Sequence, residues 1–143
     1  MKKFSLLALL FTLFFIGCDG KVDLSPKEIK WDREICERCK MIISDRFYAA
    51  QVINPQNGKR YYYDDIGCTI LWFDEEKITW ENEAIIYVTD ASNGKWIDAK
   101  KAYWTYGKVT PMDFNFSAYE TEQTGTTNHK YDYVRDHVLG KPQ

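Results

Sequence analysis

The first segment of the chain is apolar and uncharged over residues 4–16, and it follows two lysines, Lys2 and Lys3. A run of this length is too short to cross a bilayer comfortably, but it suits the apolar region of a secretory signal peptide. Residues 19–34 are polar and contain Pro26. We expect this second segment, together with Cys18, to form a tether that precedes the folded part of the chain.

Strand-like segments come next. The apolar and aromatic residues of 46–53 predict a strand, and Asn-Gly-Lys at 57–59 predicts a hairpin turn before the residues that follow it. An Asn-Gly pair favours the two-residue type I′ turn, in which both central residues have positive φ. Residues 84–99 repeat the arrangement around a second Asn-Gly-Lys at 93–95. The repeat is weak evidence for two similar halves.

Helical patterns follow the first hairpin and close the chain. Residues 66–76 predict a short buried helix, capped by Asp64 or Asp65 and carrying Cys68 in its first turn. Residues 131–139 have apolar positions at the i, i+3, i+7 spacing of a helix. The predicted class is therefore α+β, with two small hairpin-plus-helix units at about 35–80 and 81–143.

Charge and composition exclude several functions. The formal net charge is −2, and removal of a signal peptide with its two lysines takes it to −4. There is no basic patch, so we expect no nucleic-acid partner. The sequence shows no Ser-His-Asp arrangement, phosphate-binding loop or catalytic pair of carboxylates, so we do not expect a hydrolase, which agrees with our expectation of a protein that is not an enzyme.

The end of the apolar run predicts lipidation. Residues 16–18 read Ile-Gly-Cys, which resembles the lipobox of bacterial lipoproteins, although Phe15 departs from the usual leucine. The signal peptide is then residues 1–17, and Cys18 carries acyl chains such as palmitate. An ordinary signal peptide cleaved nearby is the alternative. Asp19 favours retention at the periplasmic side of the inner membrane.

Acylation of Cys18 leaves three cysteines, Cys36, Cys39 and Cys68. An odd number in an oxidising compartment means that at least one thiol is unpaired or bound to another group. We expect Cys68 to be a small buried helix residue.

The segment Cys-Glu-Arg-Cys-Lys-Met at 36–41 has several possible roles. Two cysteines at this spacing are half of a zinc site, which Cys68, His129 or His137 would have to complete. They also fit a redox-active pair or a plain disulfide. Covalent haem is excluded, because Lys40 stands where a histidine is required.

Met41 points to a different chemistry. A thiolate and a thioether are soft ligands, and soft sulfur ligands favour Cu(I) over zinc, calcium or magnesium. Residues two apart in an extended or turn segment can direct both sulfurs to the same side. A core methionine is the alternative.

At this point the sequence resembles the NosL-type lipoproteins. The resemblance is carried by "CERCKMIISDRFYAAQV", "YYYDDIGCTILWF", "YVTDASNGKWIDAKKAYW" and "TPMDFNFSAYET", in that order. The family hallmark is a cysteine, one residue and a methionine, here Cys39, Lys40 and Met41; the middle residue is often glycine in the family. Met112 matches a further family methionine. The family fold is two ββαβ units, which agrees with the predicted halves.

The resemblance implies a membrane-anchored periplasmic chaperone that delivers Cu(I) to a cuproenzyme, nitrous-oxide reductase in this family. It implies Cys39 and Met41 as copper ligands, with Met112 and Cys36 as further ones. A copper donor or a membrane assembly complex would be a second partner. His129, in a loop, is a possible extra ligand, and Asp64 and Asp65 are expected to be helix caps. The alternative function is a periplasmic thiol-disulfide redox protein that uses Cys36 and Cys39, and a zinc-stabilised interaction module is a weaker third.

Overall fold

A computed structural model describes residues 20–142 of the chain. The predicted signal peptide and the lipidation site Cys18 lie outside these residues. None of the helices found between residues 20 and 142 has the length and apolar character needed to cross a bilayer. The strands are β1 Ala50–Ile53, β2 Arg60–Tyr63, β3 Ile85–Thr89, β4 Trp96–Asp98, β5 Tyr103–Tyr106 and β6 Phe116–Tyr119, and the helices are α1 Ile66–Glu75 and α2 Tyr131–Val138, with a 3₁₀ turn at Glu81–Glu83.

The two predicted hairpins form a single antiparallel sheet in the order β2-β1-β3-β4, and β5 and β6 form a second antiparallel sheet. Strands β1 and β3 join the hairpins, with Ala50 opposite Val88 and Ile53 opposite Ile85. The α+β class is therefore confirmed, as two antiparallel sheets and two helices. The β1–β3 pair crosses the predicted boundary between the halves, whose division remains a prediction.

The hairpins are present where they were predicted, but their turn type differs from the prediction. The Asn54 N–H donates to Lys59 O (2.9 Å), and the Gly58 N–H donates to Asn54 O (2.8 Å). In this turn φ is positive only at Gly58, at +72°. A type I′ turn needs two such residues. The loop is longer than two residues because the last ladder pair is Ile53 with Arg60.

Helix α1 packs its apolar face on the four-stranded sheet, and aromatic rings fill the contact. The Trp72 ring centroid lies 4.8 Å from that of Tyr61 and 5.7 Å from that of Tyr63. Phe73 and Trp80 complete the group, at 5.3 and 6.1 Å from Trp72. Because these rings exclude water from one side of the helix, the orientation of α1 relative to the end of β2 is fixed.

The N-terminal segment is docked on the sheet. The side-chain amide of the buried Gln51 accepts from Lys27 N–H and donates to Lys27 O, both at 3.0 Å. Arg60 Nη2 donates to the carbonyls of Asp23 (2.7 Å) and Ser25 (2.9 Å). Residues 23–27, which we predicted to be part of a tether, thus lie along the strands.

Candidate metal centre

Residues 36–41 form a tight six-residue loop. The Cys36 N–H donates to Met41 O (2.8 Å), and the Lys40 N–H donates to Cys36 O (3.0 Å). Ile35 and Ile42 pair as an isolated antiparallel bridge at its base. Two backbone hydrogen bonds at equivalent positions close the Asn54–Lys59 turn. Lys40, with φ of +62°, therefore corresponds to Gly58 of that turn.

The loop geometry also explains where Cys39 lies. In the hairpin turn, Asn57 Oδ1 accepts from the N–H of Lys59, two residues later (2.9 Å). Cys39 occupies the corresponding position in the cysteine loop, two residues before Met41. The backbone of the loop therefore places the Cys39 side chain where the hairpin turn carries its asparagine.

Four side chains converge beside this loop. The sulfurs of Cys36, Cys39 and Cys68 and a carboxylate oxygen of Asp64 all lie within 4.8 Å of one another. Both Asp64 oxygens lie 3.5 Å from Cys39 Sγ. Cys36, Cys68 and Asp64 are buried, whereas Cys39 is half-buried. Cys39 is thus the least buried of the three cysteines.

The two aspartates before α1 have separate roles. Asp65 is the N-cap of α1, and its Oδ1 accepts from Gly67 N–H (3.2 Å). Its Oδ2 accepts from the Thr110 hydroxyl and from the Met112 N–H (3.2 Å). Asp64 faces the sulfurs instead, so the expectation that both are caps is wrong for Asp64. Burial is the main cause that raises the pKa of Asp65.

The thiols differ in acidity. A hydrogen bond from the Cys68 thiol lowers the pKa of Cys36 to about 6, and that same bond raises the pKa of Cys68. Burial raises the pKa of Cys39 to about 11. Cys36 is therefore the most acidic of the three thiols. A metal ion that takes all three sulfurs must displace their protons.

Arg38 joins the loop to helix α1. Its Nε donates to Glu75 Oε2 (2.9 Å) and its Nη2 to Glu75 Oε1 (2.7 Å). Two parallel bonds of this kind fix the orientation of both planes.

The other predicted ligands have different positions. Met41 is 53% exposed. Met112 is half-buried in a loop, and its backbone N–H donates to Asp65 Oδ2. His129 exchanges backbone bonds with Trp104 (3.0 and 2.7 Å), and its ring stacks on Tyr133 at 3.7 Å. Burial lowers the pKa of His129. In the described part of the chain, His129 is not a member of the converging group.

Reasoning from sequence missed Asp64 as a member of this group and raised Cys68 only as one candidate to complete a zinc site. They lie far from the cysteine loop in the chain, and their spacing matches no ligand motif. The available signal was their placement at the start of a helix that follows strand β2, since side chains at a strand end and in the next helical turn lie close together.

Three thiolates and a carboxylate suit either of two kinds of metal ion, Cu(I) or zinc. Three sulfurs can hold Cu(I) in a trigonal site, and soft ligands favour that ion. The same sulfurs with Asp64 make a four-coordinate donor set of the kind that zinc accepts. In the part of the chain that the structure describes, these four residues could therefore hold a soft or borderline metal ion.

The comparisons with known proteins concern the fold. No protein-family model and no curated protein matches this chain. Among solved structures, it is similar to the crystal structure of the copper chaperone NosL from Shewanella denitrificans, with a TM-score of 0.52 and 16% sequence identity. The match covers 76% of this chain and 96% of that chain. The chain therefore shares the fold of a NosL copper chaperone, the family that its sequence motifs resemble.

Proposed function

We propose that this protein is a Cu(I)-binding chaperone that holds one copper ion at the cysteine loop and passes it to another protein. The observation that carries the proposal is the convergence of three cysteine sulfurs within 4.8 Å, one of them half-buried. A buried pair of sulfurs can retain the ion, and an accessible one can be reached by an incoming ligand. The fold shared with a copper chaperone supports the same reading.

Cys39 is the central ligand in this proposal. It is the half-buried cysteine of the group, whereas Cys36 and Cys68 are buried and Met41, two residues after it, is exposed. A thioether is neutral and binds Cu(I) more weakly than a thiolate does, so Met41 and Met112 would act as labile ligands. An acceptor ligand would replace a methionine first, and Cys39 would release the ion last.

Localisation and partners are proposed from the sequence. Acylated Cys18 would hold the protein on the periplasmic side of the inner membrane. Two or more acyl chains give stable attachment, whereas one is marginal. The acceptor would be a cuproenzyme, nitrous-oxide reductase by the family resemblance. If Cys18→Ala protein still fractionates fully with membranes, the lipid anchor is wrong.

The ligands can be tested by Cu(I) titration against a chromophoric chelator under reducing conditions. We expect one Cu(I) per chain for the unmodified protein. Cys39→Ser should abolish binding, while Met41→Ala and Met112→Ala should weaken it. Cys36→Ser should weaken binding less than Cys39→Ser does, and Cys68→Ser joins the series because of the structure. His129→Ala tests the extra ligand.

Zinc provides the matched comparison. Met41→Ala should weaken Cu(I) binding and leave zinc binding nearly unchanged, because a thioether contributes little to zinc. If both methionine variants bind copper normally and the protein retains zinc in preference, the site is a structural zinc centre.

Thiol-disulfide exchange is the alternative function. The lowered pKa of Cys36, about 6, favours it, because the thiolate is the reactive form. A protein that catalyses disulfide reduction but fails to bind Cu(I) would establish this alternative.

A further inference from the structure

We propose that Arg38 is a positioning residue of the metal centre, which fixes the cysteine loop to helix α1 and offsets the negative charge of the sulfur group. The proposal rests on the proposed function, since it assigns a role in the same metal site. It adds a residue that supplies no metal ligand itself.

The two hydrogen bonds from Arg38 to Glu75 form a clamp between the cysteine loop and helix α1. Arg38 lies between Cys36 and Cys39 in the loop, and both of its bonds end on Glu75, the last residue of α1. Cys68 lies in the first turn of the same helix, two turns before Glu75, so the two side chains share one helix face. The Arg38–Glu75 pair therefore seats the loop on the face of α1 that carries the third sulfur.

The metal site would also carry a negative charge. Three thiolates and the Asp64 carboxylate around Cu(I) leave three negative charges unbalanced in a largely buried group. Burying charge without a partner is costly. Arg38 is the cation that lies between Cys36 and Cys39 in the loop, and its bonds to Glu75 hold it on the helix that carries Cys68. The other cation of the loop, Lys40, is directed to Glu37 instead, at 3.7 Å.

Stability alone does not account for the pair. The side chains of Arg38 and Glu75 are 25% and 49% exposed. Salt bridges that open to solvent contribute at most about 1 kcal/mol to folding. Loss of the pair should therefore leave the fold intact and change the metal site, which makes the two effects separable.

Substitutions can separate the clamp from the charge. Glu75→Gln weakens the clamp, because it removes one acceptor oxygen and the carboxylate charge, and it keeps the cation. Arg38→Gln removes both the clamp and the cation. We expect Cu(I) affinity to fall several-fold in the first variant and by about tenfold or more in the second, which is the range for residues that orient metal ligands. Lys77→Gln, which breaks the exposed Lys77–Asp74 pair at 3.5 Å on the same helix end, is the matched control and should change nothing.

The double variant Arg38→Glu with Glu75→Arg tests the charge directly. It restores a salt bridge but places a carboxylate on the loop between Cys36 and Cys39, so its affinity should stay low. Full recovery would overturn the charge role. Wild-type affinity in Arg38→Gln would overturn the whole proposal.

A metal-free measurement keeps this proposal separate from the proposed function. Opening of the loop should speed alkylation of the buried Cys36 and Cys68 thiols in Glu75→Gln protein by several-fold, with no change in Lys77→Gln protein. Equal alkylation rates in the two variants would refute the clamp, whether or not the protein binds copper. Failure of wild-type protein to bind Cu(I), with the alkylation difference present, would count against the proposed function alone.

Discussion

At the scale of single residues, Lys40 has a backbone conformation that suits glycine. Its φ is +62°, and the corresponding residues of the two hairpin turns are Gly58 and Gly94, with φ of +72° and +73°. A residue with a Cβ loses roughly 1–2 kcal/mol in this left-handed region. The lysine therefore leaves strain in the loop that carries Cys39, at the position where the resembling family often has glycine.

We predict that Lys40→Gly raises the free energy of unfolding of the reduced, metal-free protein by about 1 kcal/mol, because glycine adopts positive φ without steric cost. Chemical denaturation measures the change. Lys40→Ala is the control, since it removes the lysine but keeps the Cβ, and it should stay within about 0.5 kcal/mol of wild type. Equal stabilisation by both substitutions would show that the lysine side chain is responsible, and not the backbone.

Gly67 is a position where glycine is required, so we predict that replacing it lowers the stability of the protein. A Cβ there would lie 2.1 Å from ring atoms of Phe114, so Gly67→Ala should destabilise the protein by about 1–3 kcal/mol. In an ordinary helix interior the same change stabilises by about 1 kcal/mol. The thermal midpoint of unfolding is the measurement. Adding Phe114→Ala should make the glycine-to-alanine change close to neutral, and persistence of the full cost in that background would contradict the steric explanation.

At the scale of elements, two neighbouring residues at the start of α1 have different roles, since Asp65 caps the helix and Asp64 lies at the candidate metal centre. Asp65 accepts bonds from α1 and from the loop of Thr110 and Met112, whereas Asp64 contacts Cys39. Helix α1 thus has its N-terminus tied to the loop of Met112 by one carboxylate. The other carboxylate belongs to the sulfur group.

We predict that Asp65→Ala lowers the free energy of unfolding by about 2 kcal/mol, because it removes a helix cap and leaves buried donors unpaired. Asp64→Ala should cost less stability in the metal-free protein and should change metal retention instead. Urea denaturation and metal titration of both variants provide the comparison. Equal losses of stability would show that Asp64 also supports the helix.

At the scale of the whole molecule, the N-terminal segment is part of the folded unit. It lies beside the β1–β2 turn, where Val22 would be 2.8 Å from a Cβ at Gly58. The sulfur group lies at the opposite end of β2, next to Asp64. The path of the chain from residue 20 therefore enters the fold at the end remote from the candidate metal centre.

We predict that Gln51→Leu releases this segment, because the N–H and C=O of Lys27 lose their partner and Gln51 is otherwise buried in β1. The cost should be about 1–3 kcal/mol, and limited proteolysis should cut residues 20–30 faster. Gln56→Leu, in the turn, is the control. Unchanged proteolysis in Gln51→Leu protein would show that the other contacts, through Arg60, hold the segment by themselves.

The first two hairpins and both helices of this fold were set by local sequence. Alternating apolar residues and Asn-Gly pairs placed both hairpins, and the apolar spacing after Asp64-Asp65 and in residues 131–139 placed both helices. Local propensity decides these features because each depends on neighbouring residues alone. It did not decide the turn type, since the loop length depends on where the β1–β2 ladder ends.

The composition of the candidate site depended on tertiary structure. The pair Cys36 and Cys39 is visible in the sequence as a motif, but Cys68 and Asp64 join it only because α1 packs under the cysteine loop. The pairing of β1 with β3 and the docking of residues 23–27 on Gln51 are likewise long-range. Sequence alone thus determined which local elements form and that sulfur chemistry is present, whereas packing between distant segments decided which side chains meet, since no local pattern encodes those contacts.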